Sequence, residues 1–122
     1  MTALLQIERA VDVYTRLEAK VDPALRETYD LTFHGYRVLN FVQREPGLTM
    51  TRLGELLGRA CSTMTDLIDR LERKGWIERV RSTKDRRAIE VYLVTPERFA
   101  KAEETVQTCM AEVATELAQE VA

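Results

Sequence analysis

From Thr2 to Val21 the apolar side chains Leu4, Ile7, Val11, Tyr14, Leu17 and Val21 recur at spacings of three and four, with charges between them. That rhythm predicts an amphipathic helix beginning at Thr2 and ending near Asp22-Pro23. A second helix is expected from Thr32, a suitable N-cap, through Tyr36, Val38, Leu39 and Val42 to about Arg44, where Pro46-Gly47 stops it. Thr49 to Leu57 is short, carries Leu53, Leu56 and Leu57 on one face, and meets Gly58 where a left-handed C-cap belongs. A longer periodic segment follows, about Cys61 to Lys74, with Met64, Leu67, Ile68 and Leu71 inward and Gly75 as its stop. Two short helices with a tight break, the second longer, form a helix-turn-helix pattern.

The period then changes from 3.6 to 2. Ile77 to Arg81 and Ile89 to Leu93 alternate apolar and polar residues around the polar turn Ser82 to Arg87, which predicts a β-hairpin with a long charged tip and Trp76 packed beneath it. Thr95-Pro96-Glu97 opens a last helix: a hydroxyl cap, proline at the first helical position, then a carboxylate near the positive end of the dipole. Phe99, Ala102, Val106, Cys109, Val113 and Val121 lie near one stripe of that helix, widened by Met110 and Leu117. The expected fold is mainly α with a small β-hairpin wing (α+β), a winged helix-turn-helix with a helix on either side. The 122 residues fit one domain, read as 1–30 for the first helix, 31–95 for the winged part and 96–122 for the last helix.

The net charge of -2 hides an asymmetry. Residues 1–48 sum to -1, residues 49–98 to +3 and residues 99–122 to -4, while Arg79 to Arg87 alone holds five basic side chains against one acidic. Of the 18 basic residues 14 are Arg, whose planar fork suits phosphate and guanine. Low Gly and Pro exclude a collagen-like or linker composition, and no stretch approaches the ~18 apolar residues of a membrane span. The start, Met1-Thr2-Ala3-Leu4-Leu5, shows no basic signal region, so a cytoplasmic protein is expected. A single histidine, His34, and two distant cysteines give no zinc spacing, so neither metal nor cofactor is expected. Cys61 is read as a small residue tolerated at a turn and Cys109 as packing. No nucleophile-base pair or phosphate loop can be nominated, so no enzyme is expected.

The chemistry on offer is that of a duplex reader. A helix fits the major groove, and its N-terminal residues meet base edges. Ser62, Thr63 and Thr65 occupy that position, and one of them is also expected to cap the helix. Arg59 precedes the helix and Arg70 lies two turns in, each within reach of phosphate or guanine; a surface ion pair of Asp69 with Arg70 is the alternative. Lys84, Arg86 and Arg87 at the hairpin tip suit a narrow minor groove, where negative potential draws arginine.

Leu53-Gly54-Glu55-Leu56-Leu57, then Ser62-Thr63-Met64-Thr65, then Asp69-Arg70-Leu71-Glu72-Arg73-Lys74-Gly75-Trp76-Ile77 resembles the MarR family of bacterial transcription regulators. Asp85-Arg86-Arg87 ahead of Val91 and Leu93 is similar to the family's Asp-x-Arg wing signature, and the likeness covers roughly residues 31–98. The resemblance implies a homodimer on palindromic double-stranded DNA, usually a repressor, released in many members by a small-molecule effector. It implies that Arg87 enters the minor groove, that Asp85 braces the wing by pairing with an Arg, and that Ser62, Thr63 and Thr65 face the bases. Tyr29, Phe33, His34 and Tyr36 lie where the family often binds effectors; plain core packing is the competing reading.

Three departures stand out. Leu93-Val94-Thr95 replaces the usual Leu-Thr after the wing, so the last helix is expected one residue late. Asp66 stands where the family often has a neutral or basic residue on the DNA face. No counterpart of a further C-terminal helix common in the family is read before Ala122, so dimerisation is expected to rest on the first and last helices and any effector pocket to be smaller or absent. The alternative is a winged-helix module for protein contact or DNA architecture without effector response.

Overall fold

The computed structural model describes residues 2–121, with the side chains of Cys61 and Val121 outside the described residues. Eight elements follow in order: α1 (Ala3–Tyr29), α2 (Phe33–Arg44), β1 (Leu48–Thr49), α3 (Met50–Leu57), α4 (Cys61–Arg73), β2 (Ile77–Arg81), β3 (Ile89–Leu93) and α5 (Pro96–Val121). The architecture is mainly helical with a small antiparallel sheet, as the periodicity predicts. Backbone proximity separates two units, one of the chain up to Phe33 with the chain from Lys101, the other His34–Ala100.

In the first unit α1 runs eight residues past Val21, through Pro23. Proline there removes one helical N–H and crowds the preceding turn, a cost of up to about 3 kcal/mol. Val21 and Leu25, both fully buried, flank it. Ending the helix at Asp22 would strip Leu25 from the core, a loss of about 1.5–3 kcal/mol. Asp30, in the left-handed region at φ 51°, finally caps the helix, its N–H reaching the Arg26 carbonyl at 3.2 Å. Asp22 takes a different role: its Oδ1 accepts the first N–H of α2, from Phe33, at 2.9 Å. The α5 part of this unit lies antiparallel to α1. Lys20 Nζ bonds Glu116 at 2.7 Å and Glu112 at 3.3 Å, Arg16 pairs with Glu120, and Ala102, Val106, Cys109 and Val113 are buried. Toward the start of α1, Leu4, Leu5, Ile7 and Val11 are exposed, so half of the apolar stripe has no cover among the described residues.

In the second unit Thr49 caps α3, its hydroxyl accepting the Arg52 N–H at 3.1 Å, and Gly58 ends it at φ 65°. The strand order is β1-β3-β2. The hairpin has the expected register, Ile77 opposite Leu93 and Arg81 opposite Ile89. β1, absent from the sequence reading, adds Leu48 opposite Val91 and Thr49 opposite Glu90. Trp76 is fully buried, with the Arg98 guanidinium 4.0 Å from its ring centroid, and Tyr36 stacks on Phe99 at 5.6 Å. The last helix starts at Pro96, directly after Thr95, whose carbonyl takes the Phe99 N–H at 3.1 Å.

Candidate nucleic-acid interface

Helix α4 buries Met64, Ile68 and Leu71 and turns Ser62, Thr63, Thr65 and Arg70 outward. Its N-cap is Ala60, which has no side-chain acceptor. The expected hydroxyl cap is therefore not made: the helix begins ahead of Ser62, and the hydroxyls of Ser62, Thr63 and Thr65 stand on its exposed surface. Ala60 leaves the first-turn N–H groups without a cap from that position, the arrangement that accepts an anion at a helix N-terminus.

The wing is held against α4 by one arginine. Arg79 Nη2 bonds Glu72 Oε1 at 2.8 Å and Asp69 Oδ1 at 2.7 Å, and the Arg79 N–H donates to Glu72 Oε2 at 3.1 Å. The Arg79 side chain, then its N–H, holds the Glu72 carboxyl below the usual carboxylate range. Asp69 is thus paired across to β2, not with Arg70: residues adjacent in a helix point about 100° apart. Among the described residues the Arg70 side chain makes no ion pair or hydrogen bond.

The tip is ordered by its own short-range bonds. Ser82, a buried hydroxyl that the sequence reading passed over, accepts the N–H groups of Lys84 and Asp85, each at 3.2 Å. Serine opening a polar turn is the local signal that could have singled it out. Asp85 braces the tip through the main chain: its Oδ1 accepts the Arg87 N–H at 3.0 Å, in place of the expected arginine side chain. Arg81 Nη1 donates to the Arg86 carbonyl at 2.7 Å. Lys84, Arg86 and Arg87 are exposed, and among the described residues their side chains make no ion pair or hydrogen bond. Thr65 and Arg87 meet across one cleft, lined also by Met50, Thr51, Met64 and Ile89.

Arg59 is half-buried and points its Nη2 at the His34 ring, 2.9 Å from Nδ1. The same Nη2 lies 3.2 Å from Nε2, so the guanidinium meets both nitrogens of the ring. Of the other aromatic candidates, Phe33 and Tyr36 are buried and Tyr29 is half-exposed. Among the described residues no helix is long and apolar enough to cross a membrane, and no group of three His, Cys, Asp or Glu could hold a metal.

A helix-and-wing surface of this kind has recognisable relatives. The MarR family profile matches residues 31–89. The transcriptional regulator SarZ of Staphylococcus aureus is 37% identical over 65 residues, 53% of this chain and 44% of that protein, so the match spans less than half of the curated relative. Among solved structures, apo MarR of E. coli superposes with a TM-score of 0.78 at 24% identity, covering 98% of this chain and 85% of that one. FabT of Streptococcus pneumoniae, solved in complex with DNA, gives 0.73 at 23% identity, covering 94% and 82%. At those identities the structures speak for the fold, and the sequence match over the recognition helix and wing speaks for descent. Residues 31–89, which hold α2 to α4 and the wing up to Ile89, carry the sequence pattern of the MarR family.

Proposed function

We propose that the protein is a sequence-specific double-stranded DNA-binding transcription regulator, a repressor acting as a homodimer on a palindromic operator. The observation that carries this reading is the separation of spent from unspent charge. Arg79 is consumed in holding the wing to α4, while the side chains of Arg70, Lys84, Arg86 and Arg87, on the same unit as the outward hydroxyls of α4, have no partner among the described residues. Unpaired arginines beside a helix with short polar outward residues supply both phosphate contacts and base readout. The exposed apolar run of Leu4, Leu5, Ile7 and Val11 supports self-association, since a soluble chain rarely leaves such a stripe open to water.

Selection of binding sites from a random duplex library at near-physiological salt tests the proposal. The expected product is a two-fold symmetric consensus with half-sites about ten base pairs apart. Enrichment without a consensus would replace the regulator by an architectural binder, and no enrichment from folded protein would refute DNA binding. Release by a small-molecule effector is a separate part of the proposal. The same assay repeated with phenolic and lipophilic compounds, on wild type and on Tyr29→Ala and His34→Ala, tests it.

A further inference from the structure

We infer that Asp66 is a specificity determinant, a carboxylate that selects cytosine in the major groove; this rests on the DNA-binding reading above. Successive residues of a helix are rotated by about 100°, so the outward direction of α4 follows from its buried stripe of Met64, Ile68 and Leu71. Asp66 lies within about 15° of the point opposite that stripe, as does Arg73 two turns on, while Ser62 lies about 25° from it, Arg70 about 50°, and Thr63 and Thr65 farther still. Whatever α4 enters, Asp66 enters at the centre.

Asp66 is also uncommitted. Arg70 follows at the four-residue spacing at which helical ion pairs form. Yet among the described residues the Asp66 side chain makes no ion pair or hydrogen bond, and it is exposed. The two other acidic residues of α4, Asp69 and Glu72, are both taken by Arg79 of the wing. One carboxylate thus remains free at the centre of an otherwise hydroxyl- and arginine-bearing surface.

A carboxylate accepts hydrogen bonds and repels phosphate, so in a duplex it is tolerated only where a base offers a donor. The major groove has two such donors, the amino groups of cytosine and adenine. Adenine sets its N7 acceptor beside the amino group, where its lone pair opposes a carboxylate. Cytosine has a C–H there and no competing acceptor. Guanine and thymine present only acceptors and the thymine methyl. The cytosine amino group is the partner that remains. Arg70, one turn further along the helix, is placed to take guanine O6 and N7 at a neighbouring position.

The test is site selection with wild type, Asp66→Asn and Asp66→Glu, followed by competition with duplexes altered one base pair at a time. Asp66 is exposed, so the three proteins should share one melting temperature. In the wild-type consensus, replacing one cytosine per half-site should weaken binding at least about fivefold. Asp66→Asn should lose that preference at that position alone, while binding non-consensus duplexes more tightly because one repelling charge is gone. Asp66→Glu should keep it. If all three variants select the same base there, the assignment to Asp66 falls and the DNA reading stands. If wild type selects no duplex, both fall.

Discussion

The contact of Arg79 with Glu72 and Asp69 joins α4 to the wing, and its strength can be worked from the geometry. Arg79 gives Glu72 two side-chain hydrogen bonds, from Nε at 3.1 Å and Nη2 at 2.8 Å, and a main-chain one at 3.1 Å. Charge-assisted bonds of this sort are each worth about 1.5–3 kcal/mol when desolvated. Here the side chains of Arg79, Glu72 and Asp69 are 29%, 35% and 41% exposed. Screening therefore brings the pair toward the exposed range of about 0.2–1 kcal/mol, with both guanidinium bonds on Oε1 and the main-chain bond on Oε2 holding it at the upper end. A double-mutant cycle of Glu72→Gln and Arg79→Gln should give a coupling energy of about 1 kcal/mol. Arg79→Gln alone, which abandons both acidic partners, should lower Tm by about 4–8 °C, or 1–2 kcal/mol, in thermal denaturation followed by circular dichroism. Asp69→Asn against Arg79→Gln should couple less, because Asp69 is more exposed and has fewer bonds. A Glu72–Arg79 coupling under about 0.3 kcal/mol, within the error of additivity, would refute the claim that this pair fastens the wing.

Three further outcomes follow from the same coordinates. Glu72 titrates below its ordinary value of 4.5, so the stability it lends is complete above that pH and is lost as pH falls through its folded value; between about pH 6 and pH 3 wild type should lose more Tm than Glu72→Gln. Gly47 sits at φ 86° with Tyr92 Oη 3.0 Å from the place a Cβ would occupy, whereas Gly58, at φ 65°, has open space there. Gly58→Ala should cost about 1 kcal/mol of backbone strain and Gly47→Ala clearly more, and equal losses in urea denaturation would deny the Tyr92 contact. Arg87→Ala should weaken duplex binding by about 1–3 kcal/mol and, if the contact is to phosphate, reduce the slope of log affinity against log salt by about one; wild-type affinity would remove Arg87 from the interface.

Much of this fold was legible because its signals are local. The Thr49 hydroxyl and Gly58 bracket α3, Gly75 ends the turn after α4, and alternation marks both strands of the hairpin. What escaped was decided by tertiary contact. Pro23 reads as a stop, yet the helix runs through it and buries Leu25 beyond, which offsets much of the lost bond. β1 is two residues long, too short to show a period, and exists because Leu48 is buried opposite Val91. The stripe of α1 announces that something covers Leu4, Ile7 and Val11, and periodicity carries no label saying whether the cover is the same chain or another.

The candidate site divides along the same line. Composition reveals how many arginines there are and hairpin position suggests which matter, but the partner of each is a property of three-dimensional packing. Asp69 was open to pairing with its neighbour Arg70, and the structure gives it to Arg79, ten positions on. That exchange changes the chemistry of the face. Arg79 becomes structural, and Arg70 is released toward whatever α4 meets. Arg59, nominated from its place before the helix, turns to His34, and Asp85 serves the backbone of Arg87. A cation spent inside the protein contributes little to counterion release, so the salt dependence of binding counts the unspent ones. With Arg79 engaged and Arg70, Lys84, Arg86 and Arg87 free, the slope should drop with substitutions at those four. Arg79→Gln should leave the slope nearly unchanged while lowering stability. An Arg79→Gln slope loss as large as that of Arg87→Ala would mean that the clamp opens on DNA and that Arg79 exchanges its carboxylates for phosphate.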